Sequence, residues 1–182
     1  TSLKEVTIPG SITSFGFEVF RSCSDLEKVT ILNGAKSLSD GMFMECTSLK
    51  EITIPASVET IGSWTFLNCT SLTTLDASGW DTANVTDLSG MFYNCTALTE
   101  VKGTENWDLS ACTSLFATFY TCKSLQTLNA TGWDTSNVTS TGHMFRACNS
   151  LTELDISNWN VSKVTSFTAM FQGNGNNAMD MK

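Results

Sequence analysis

Histidine occurs once in this chain, at His143, and proline twice, at Pro9 and Pro55. A single histidine rules out His-paired metal centres, and no His/Cys/carboxylate pair shows metal-ligand spacing. A Gly-x-Ser-x-Gly elbow and a phosphate loop are also missing, so no catalytic residues, metal or cofactor are expected and the chain is read as a non-enzyme. Basic residues are scarce and scattered singly: ten Lys and Arg stand against eighteen Asp and Glu, a net charge of −8 with a pI near 4.5. That balance argues against a nucleic-acid or anionic-membrane surface and favours neutral or basic partners. No apolar run reaches bilayer length, so this segment is not expected to insert into a membrane. Thr1-Ser2-Leu3 shows neither a charged n-region nor an apolar h-region. Thr-Ser-Leu returns at Thr47-Ser48-Leu49 and Thr70-Ser71-Leu72, so residue 1 is expected to be a cut inside a longer array, with any signal or anchor outside it.

What the chain has instead is repetition. A Phe-x-x-Cys pair recurs at Phe20/Cys23, Phe43/Cys46, Phe66/Cys69, Phe92/Cys95, Phe119/Cys122 and Phe145/Cys148, with a further Phe at 171. The Phe-to-Phe intervals are 23, 23, 26, 27, 26 and 26 residues. A period in this range means stacked coils that supply each other's core. Six of the seven cysteines share one column, and Cys112 takes a column held elsewhere by Val85, Val138 and Val164. Column neighbours stand about 4.8 Å apart, long for bonded Cβ atoms at about 3.8 Å. The thiols are therefore read as buried small hydrophobes, not as a disulfide framework.

The units open at Leu3, Leu26, Leu49, Leu72, Leu98, Leu125 and Leu151, each with an apolar alternation such as Leu49-Ile52-Ile54 that predicts a short strand with one buried face. About seven strands in parallel form a sheet along one side. In units one and three, Pro9 and Pro55 end the pairing, and a second alternation follows, Ile12/Phe15 and Val58/Ile61. Later units carry a Trp-Asp-Thr-(Ala/Ser)-Asn-Val-Thr segment, as at Trp80–Thr86 and Trp133–Thr139. The segment around Phe-x-x-Cys, as in Leu88–Cys95, spaces its apolar residues at i, i+3, i+4 and i+7 and predicts about two helical turns crossing back. The chain is expected to be one repeat domain over 1–182: three 23-residue units in 1–71, four of 26–27 residues in 72–172, and a non-repeat tail in 173–182. Met179 and Met181 of that tail are expected to act as a weak cap.

Leu-Lys-Glu-(Val/Ile)-Thr-Ile-Pro followed by Gly and Phe-x-x-Cys-(Thr/Ser)-(Ser/Asp)-Leu resembles the BspA-type leucine-rich repeat. The Trp-Asp-Thr and Met-Phe-x-x-Cys units resemble the companion repeat of BspA-family bacterial surface proteins. The likeness runs to about residue 172 and departs at Leu32-Asn33-Gly34, Cys112 and Asn174. It implies an α/β, right-handed leucine-rich repeat solenoid of about seven coils, with a parallel sheet on one side and short helical turns or irregular segments on the other, on a bacterial cell surface, extracellular and used in adhesion or recognition of a protein or glycan of a host or neighbouring cell. It names no ligand.

Outward side chains of the sheet form two columns, with six acids against two lysines. Glu5, Glu51, Asp76, Glu100, Asn129, Glu153 and Asp155 are the candidate ligand-binding residues there. A solvated face that keeps the array soluble is the competing reading. Trp80, Trp107, Trp133 and Trp159 form a column that either stacks a ligand or, as preferred here, packs over the coil interior. Trp64 aligns with Glu18 and Gly41 and is the candidate exposed tryptophan. The Asp or Asn after each column Trp is read as an Asx turn cap, ahead of a calcium ladder.

Overall fold

The computed structural model describes residues 2–174 and 180–181, and the apolar alternations become short strands stacked in parallel into a β-solenoid. On the main face these are β1 (Glu5–Ile8), β2 (Lys28–Ile31), β4 (Glu51–Thr53), β6 (Thr74–Asp76), β7 (Glu100–Lys102), β8 (Glu153–Leu154) and β9 (Asp180–Met181). The second alternation gives β3 (Ser37–Leu38) and β5 (Thr60–Ile61), which pair with each other. Register follows the repeat: Glu5, Lys28 and Glu51 are partners across β1-β2-β4, and Thr74 partners Glu100 across β6-β7. The carbonyls of Pro9 and Pro55 each accept a hydrogen bond from the N–H three residues on, at 3.1 Å, turning the chain off the sheet.

Inside the solenoid each repeat position becomes a row of like side chains. Phe20, Phe43, Phe66, Phe92, Phe119, Phe145 and Phe171 stack with neighbouring centroids 5.4–5.9 Å apart. The five rings from Phe43 to Phe145 are fully buried, and truncating one to Ala in such a row costs about 3–5 kcal/mol. Trp80, Trp107, Trp133 and Trp159 form a second row at 5.6–6.0 Å. All four are at most 9% exposed, so this column belongs to the core. Like side chains stack because every coil presents the same residue at the same height, and apolar area is removed from water on both faces of each ring.

The predicted helical turns do not form. Among the described residues the only helical element is a single 3-10 turn at Thr104–Asn106. In each return segment two residues lie at positive φ, one two places before the Phe and one immediately before the Cys or its counterpart. The first set is Glu18, Gly41, Trp64, Gly90, Ala117, His143 and Ala169; the second is Ser22, Glu45, Asn68, Asn94, Thr121, Ala147 and Gly173. A left-handed residue every fourth position breaks an α-helix, and the apolar i, i+3, i+4 spacing serves a string of turns instead. The backbone N–H groups divide accordingly. Those of Gly90, Phe92 and Asn94 reach the next coil, to the carbonyls of Phe116, Thr118 and Tyr120 at 2.7–2.8 Å, while Tyr93 and Cys95 bond back three residues at 2.9 and 3.1 Å. Bonds between coils thus hold conformations that side-chain-bearing residues adopt only at a cost.

The cysteines are free, and all but Cys23 are buried. Each thiol from Cys46 to Cys148 in the ladder donates to a Phe carbonyl of an earlier coil: Cys46 to Phe20, Cys69 to Phe43, Cys95 to Phe66, Cys122 to Phe92 and Cys148 to Phe119, at 3.0–3.2 Å. Burial pushes the thiols of Cys46 and Cys148 up to about 12 and that of Cys112 to about 11, so none is a thiolate at neutral pH.

At the other end the expected non-repeat tail holds a strand: β9 pairs in parallel with β8, Asp180 beside Glu153 and Met181 beside Leu154. It satisfies an edge that β8 would otherwise leave unpaired. The proposed capping residue Met179 lies outside the described residues.

Iodoacetamide at pH 8 should modify only the partly exposed Cys23 in the native protein and all seven thiols after unfolding, counted by intact mass; native labelling at the buried positions would contradict this packing. Ala117, at φ 54° in a column where Gly41 and Gly90 sit at 59° and 58°, should gain about 0.5–1 kcal/mol on substitution by Gly, read from urea midpoints.

Candidate binding groove on the sheet face

The repeat has one irregularity in length on the sheet side. Val101 to Trp107 is six residues, whereas Leu75 to Trp80, Leu128 to Trp133 and Leu154 to Trp159 are five. The extra residue is taken up by the 3-10 turn, entered through Gly103 at φ 79°. Gly103 is pressed against the backbone of Ser78, where a Cβ would come within 2.2 Å of the Ser78 Cα, so only glycine fits. The buried Thr104 then anchors the turn: its hydroxyl donates to the Asn129 carbonyl at 2.8 Å, and its own carbonyl accepts from Trp133 Nε1 at 2.6 Å.

That anchoring coincides with a break in the sheet. The Gln126 N–H still reaches the Thr99 carbonyl at 3.1 Å. Beyond it, among the described residues, no backbone hydrogen bond joins Thr127–Asn129 to β7 or β8. The segment expected as a strand in this coil is therefore not one. Where the ladder opens there is a groove of about 480 Å³ whose walls include Glu100, Lys102, Thr104, Glu105, Asn129, Glu153 and Asp155. This volume falls within the roughly 300–1,000 Å³ of ordinary ligand sites. The groove gathers four carboxylates against one ammonium. All six ion pairs found among the described residues lie between Lys4 and Glu59, so none neutralises Glu100, Glu105 or Glu153.

The candidate residues read from the sequence thus separate. Glu100, Asn129, Glu153 and Asp155 come together at the groove. Glu5 and Glu51 are exposed on β1 and β4, away from it, and Glu51 is held by Lys28 at 3.2 Å. Asp76 caps its own turn, accepting from the Ser78 N–H at 3.0 Å and the Ser78 hydroxyl at 2.6 Å. Asn129 and Asp155 make the same Asx turn, accepting from the N–H groups of Thr131 and Ser157 at 3.3 and 2.9 Å. Trp64 is only half-exposed, its six-membered ring resting on Gly90, so it is less open than its alignment suggests. Sequence reading missed Gly103, Thr104 and Glu105, although the six-residue spacing was there to find them.

The Asp or Asn after each column tryptophan also caps a turn. Asp81, Asp108, Asp134 and Asn160 accept from the N–H two residues on, at 3.2, 2.9, 2.9 and 3.0 Å. Among the described residues no group of His, Cys, Asp and Glu is placed to hold a metal ion. Hydrogen bonds from Ser78, Ser110 and Ser136 hold the carboxyls of Asp76, Asp108 and Asp134 below the usual range. A native pKa below the unfolded one gives stability that is complete above about pH 3.9 and is lost as pH falls through the lower native value. Asn at these three positions keeps the acceptor and removes the charge. The triple variant should therefore lose less stability than wild type between pH 5 and pH 3, compared by urea midpoints.

Two family models match the chain. One, described as BspA type leucine rich repeat region (6 copies), covers residues 1–110, and the other, described as Mycoplasma protein of unknown function, DUF285, covers residues 59–182. Neither description names a catalytic activity. No curated protein matches. Among solved structures, the leucine rich repeat protein of T. pallidum superposes with a TM-score of 0.57 at 20% identity, over 83% of this chain and 79% of that one. A leucine rich cell surface protein of Faecalibacterium prausnitzii A2-165 gives 0.53 at 20% identity, over 84% of this chain and 54% of its own length. This chain thus spans about half of the Faecalibacterium protein, and at this identity the likeness speaks for the fold alone. With strands in parallel register, rows of buried Leu and Phe, almost no helix and a family match over more than half its length, the chain belongs to the BspA-type leucine-rich repeat proteins.

Proposed function

We propose that this chain is a non-enzymatic recognition module of a bacterial surface protein, which uses the sheet-face groove to bind a basic segment of a protein on a host or neighbouring cell. The observation that carries the reading is the groove itself: it sits where the repeat breaks its own spacing, and its carboxylates Glu100, Glu105 and Glu153 have no ion-pair partner among the described residues. A solvated face needs no such irregularity. Unpaired acids around a recess attract cationic side chains and raise the rate of encounter, an effect that salt screens. The seven-membered phenylalanine row supports a count of seven coils. The Faecalibacterium neighbour's designation as a cell surface protein supports an extracellular setting. Among the described residues no helix is long and apolar enough to cross a membrane.

The test is a binding panel of lysine-rich peptides and extracellular-matrix proteins, read by biolayer interferometry at two salt concentrations. Wild type should bind at least one basic member, and Glu100→Lys/Glu153→Lys should weaken that binding about tenfold or more, while Glu5→Lys, away from the groove, leaves it unchanged. Equal loss in the Glu5→Lys control, or no binding to any basic member, overturns the assignment to the groove.

A further inference from the structure

The return side of the solenoid carries a second surface, unlike the acidic sheet side. Between Thr60 and Asn174 the return segments that carry the phenylalanines, 60–72, 86–98, 113–125, 139–151 and 165–174, contain a single acid, Asp87. Its carboxylate is already engaged by the Ser89 N–H at 2.7 Å. The same segments hold Lys123, His143 and Arg146. The first coils differ: their return segments carry Glu18, Asp40 and Glu45, and Arg21 is drawn into ion pairs with Glu18 and Glu45 at 2.9 and 3.8 Å. A net charge of −8 therefore does not describe the later return face.

On this face the repeat positions are filled by residues that break the pattern. The position after the Phe holds Arg21, Met44 and Leu67 in earlier coils, then Tyr93, Tyr120 and Arg146. Tyr93 and Tyr120 stack at 4.4 Å and 5°, and the Arg146 guanidinium lies 5.5 Å from the Tyr120 ring centre. Trp64 joins the near end, 6.0 Å from Tyr93, and His143 meets the Tyr120 ring edgewise at 6.1 Å. Trp64, Tyr93, Tyr120 and Arg146 so make a continuous strip across successive coils, on the order of 15 Å long at the parallel-strand spacing. All four are partly exposed.

We propose that this strip binds an acidic polysaccharide, a sugar chain bearing carboxylates at low density. Because the tyrosine rings stack on one another, they offer ring edges and hydroxyls to a ligand, a hydrogen-bonding surface suited to sugar hydroxyls. Arg146, stacked on Tyr120 and without an ion-pair partner among the described residues, presents a planar fork for one carboxylate. The cations are few and interspersed with aromatics, so a sparsely charged chain fits better than a dense phosphate polymer, whose binding needs many phosphate contacts. The strip's run across coils suits an extended ligand. This surface is independent of the sheet-face groove, and the two assignments stand or fall separately.

The experiment measures binding of hyaluronan oligosaccharides to the full chain by calorimetry at low salt, with dextran and poly-glutamate as comparison ligands. Wild type should bind hyaluronan and bind dextran and poly-glutamate at least tenfold more weakly. Arg146→Gln should lose at least tenfold in affinity and Tyr120→Phe, which keeps the stack and removes one hydroxyl, a smaller factor, with melting temperatures unchanged. Glu100→Lys/Glu153→Lys should leave hyaluronan binding no weaker. Absence of hyaluronan binding, equal binding of dextran, equal binding of poly-glutamate, or an Arg146→Gln variant that binds like wild type would each overturn the proposal.

Discussion

Each coil hands its backbone to the next through bonds that run along the solenoid axis, and this transfer governs the return side of the molecule. The N–H groups of Phe92 and Asn94 reach Thr118 and Tyr120, and the Cys122 thiol reaches back to the Phe92 carbonyl at 3.1 Å. Such bonds form only if neighbouring coils match in height and phase, so the repeat period is a geometric requirement and not merely a record of duplication. Stacked Phe and Trp rings are its consequence: once the backbones are in phase, like side chains must face like. The left-handed residues on either side of each Phe are tolerated because the bonds that hold them are made with another coil.

This constraint leaves function to the places where a residue can change without disturbing the phase. Outward side chains of the sheet are one such place, and the position after each phenylalanine on the return side is another. Variation has gone in opposite directions on the two. The sheet face collects Glu100, Glu105, Glu153 and Asp155 around a groove. The later return face is almost free of acids and collects tyrosines with Arg146. A single net charge averages over this segregation, and so the composition pointed toward neutral or basic partners alone.

The groove also shows how small an irregularity can open a site in a regular array. One additional residue between Val101 and Trp107 becomes a 3-10 turn, and Thr104 takes the Asn129 carbonyl that a regular coil would leave to the sheet ladder. Broken pairing costs sheet energy locally, while the Phe and Trp rows continue past it at 5.7 and 5.6 Å. The core thus tolerates a breach at its edge.

The period, most of the strand positions, the inward Leu, Phe and Trp columns and the unbridged cysteines were legible in the sequence, because each depends on which residue recurs at which spacing; the missing strand at Thr127–Asn129 and the strand in the tail were not. The turn-capping role of the Asp and Asn residues after the tryptophans was legible for the same reason. The return segments were misread as helical, since apolar spacing at i, i+3 and i+4 reports which side chains face inward and says nothing about the sign of φ; that sign was decided by bonds to the next coil. Nor could the sequence distinguish Asp76, bound up in its own Asx turn, or Glu51, paired with Lys28, from Glu100 and Glu153 beside the groove. The Asp76 turn closes locally on Ser78, but the Lys28–Glu51 pair, 23 residues apart along the chain, and the break in the ladder at Thr127–Asn129 exist only once the coils are stacked.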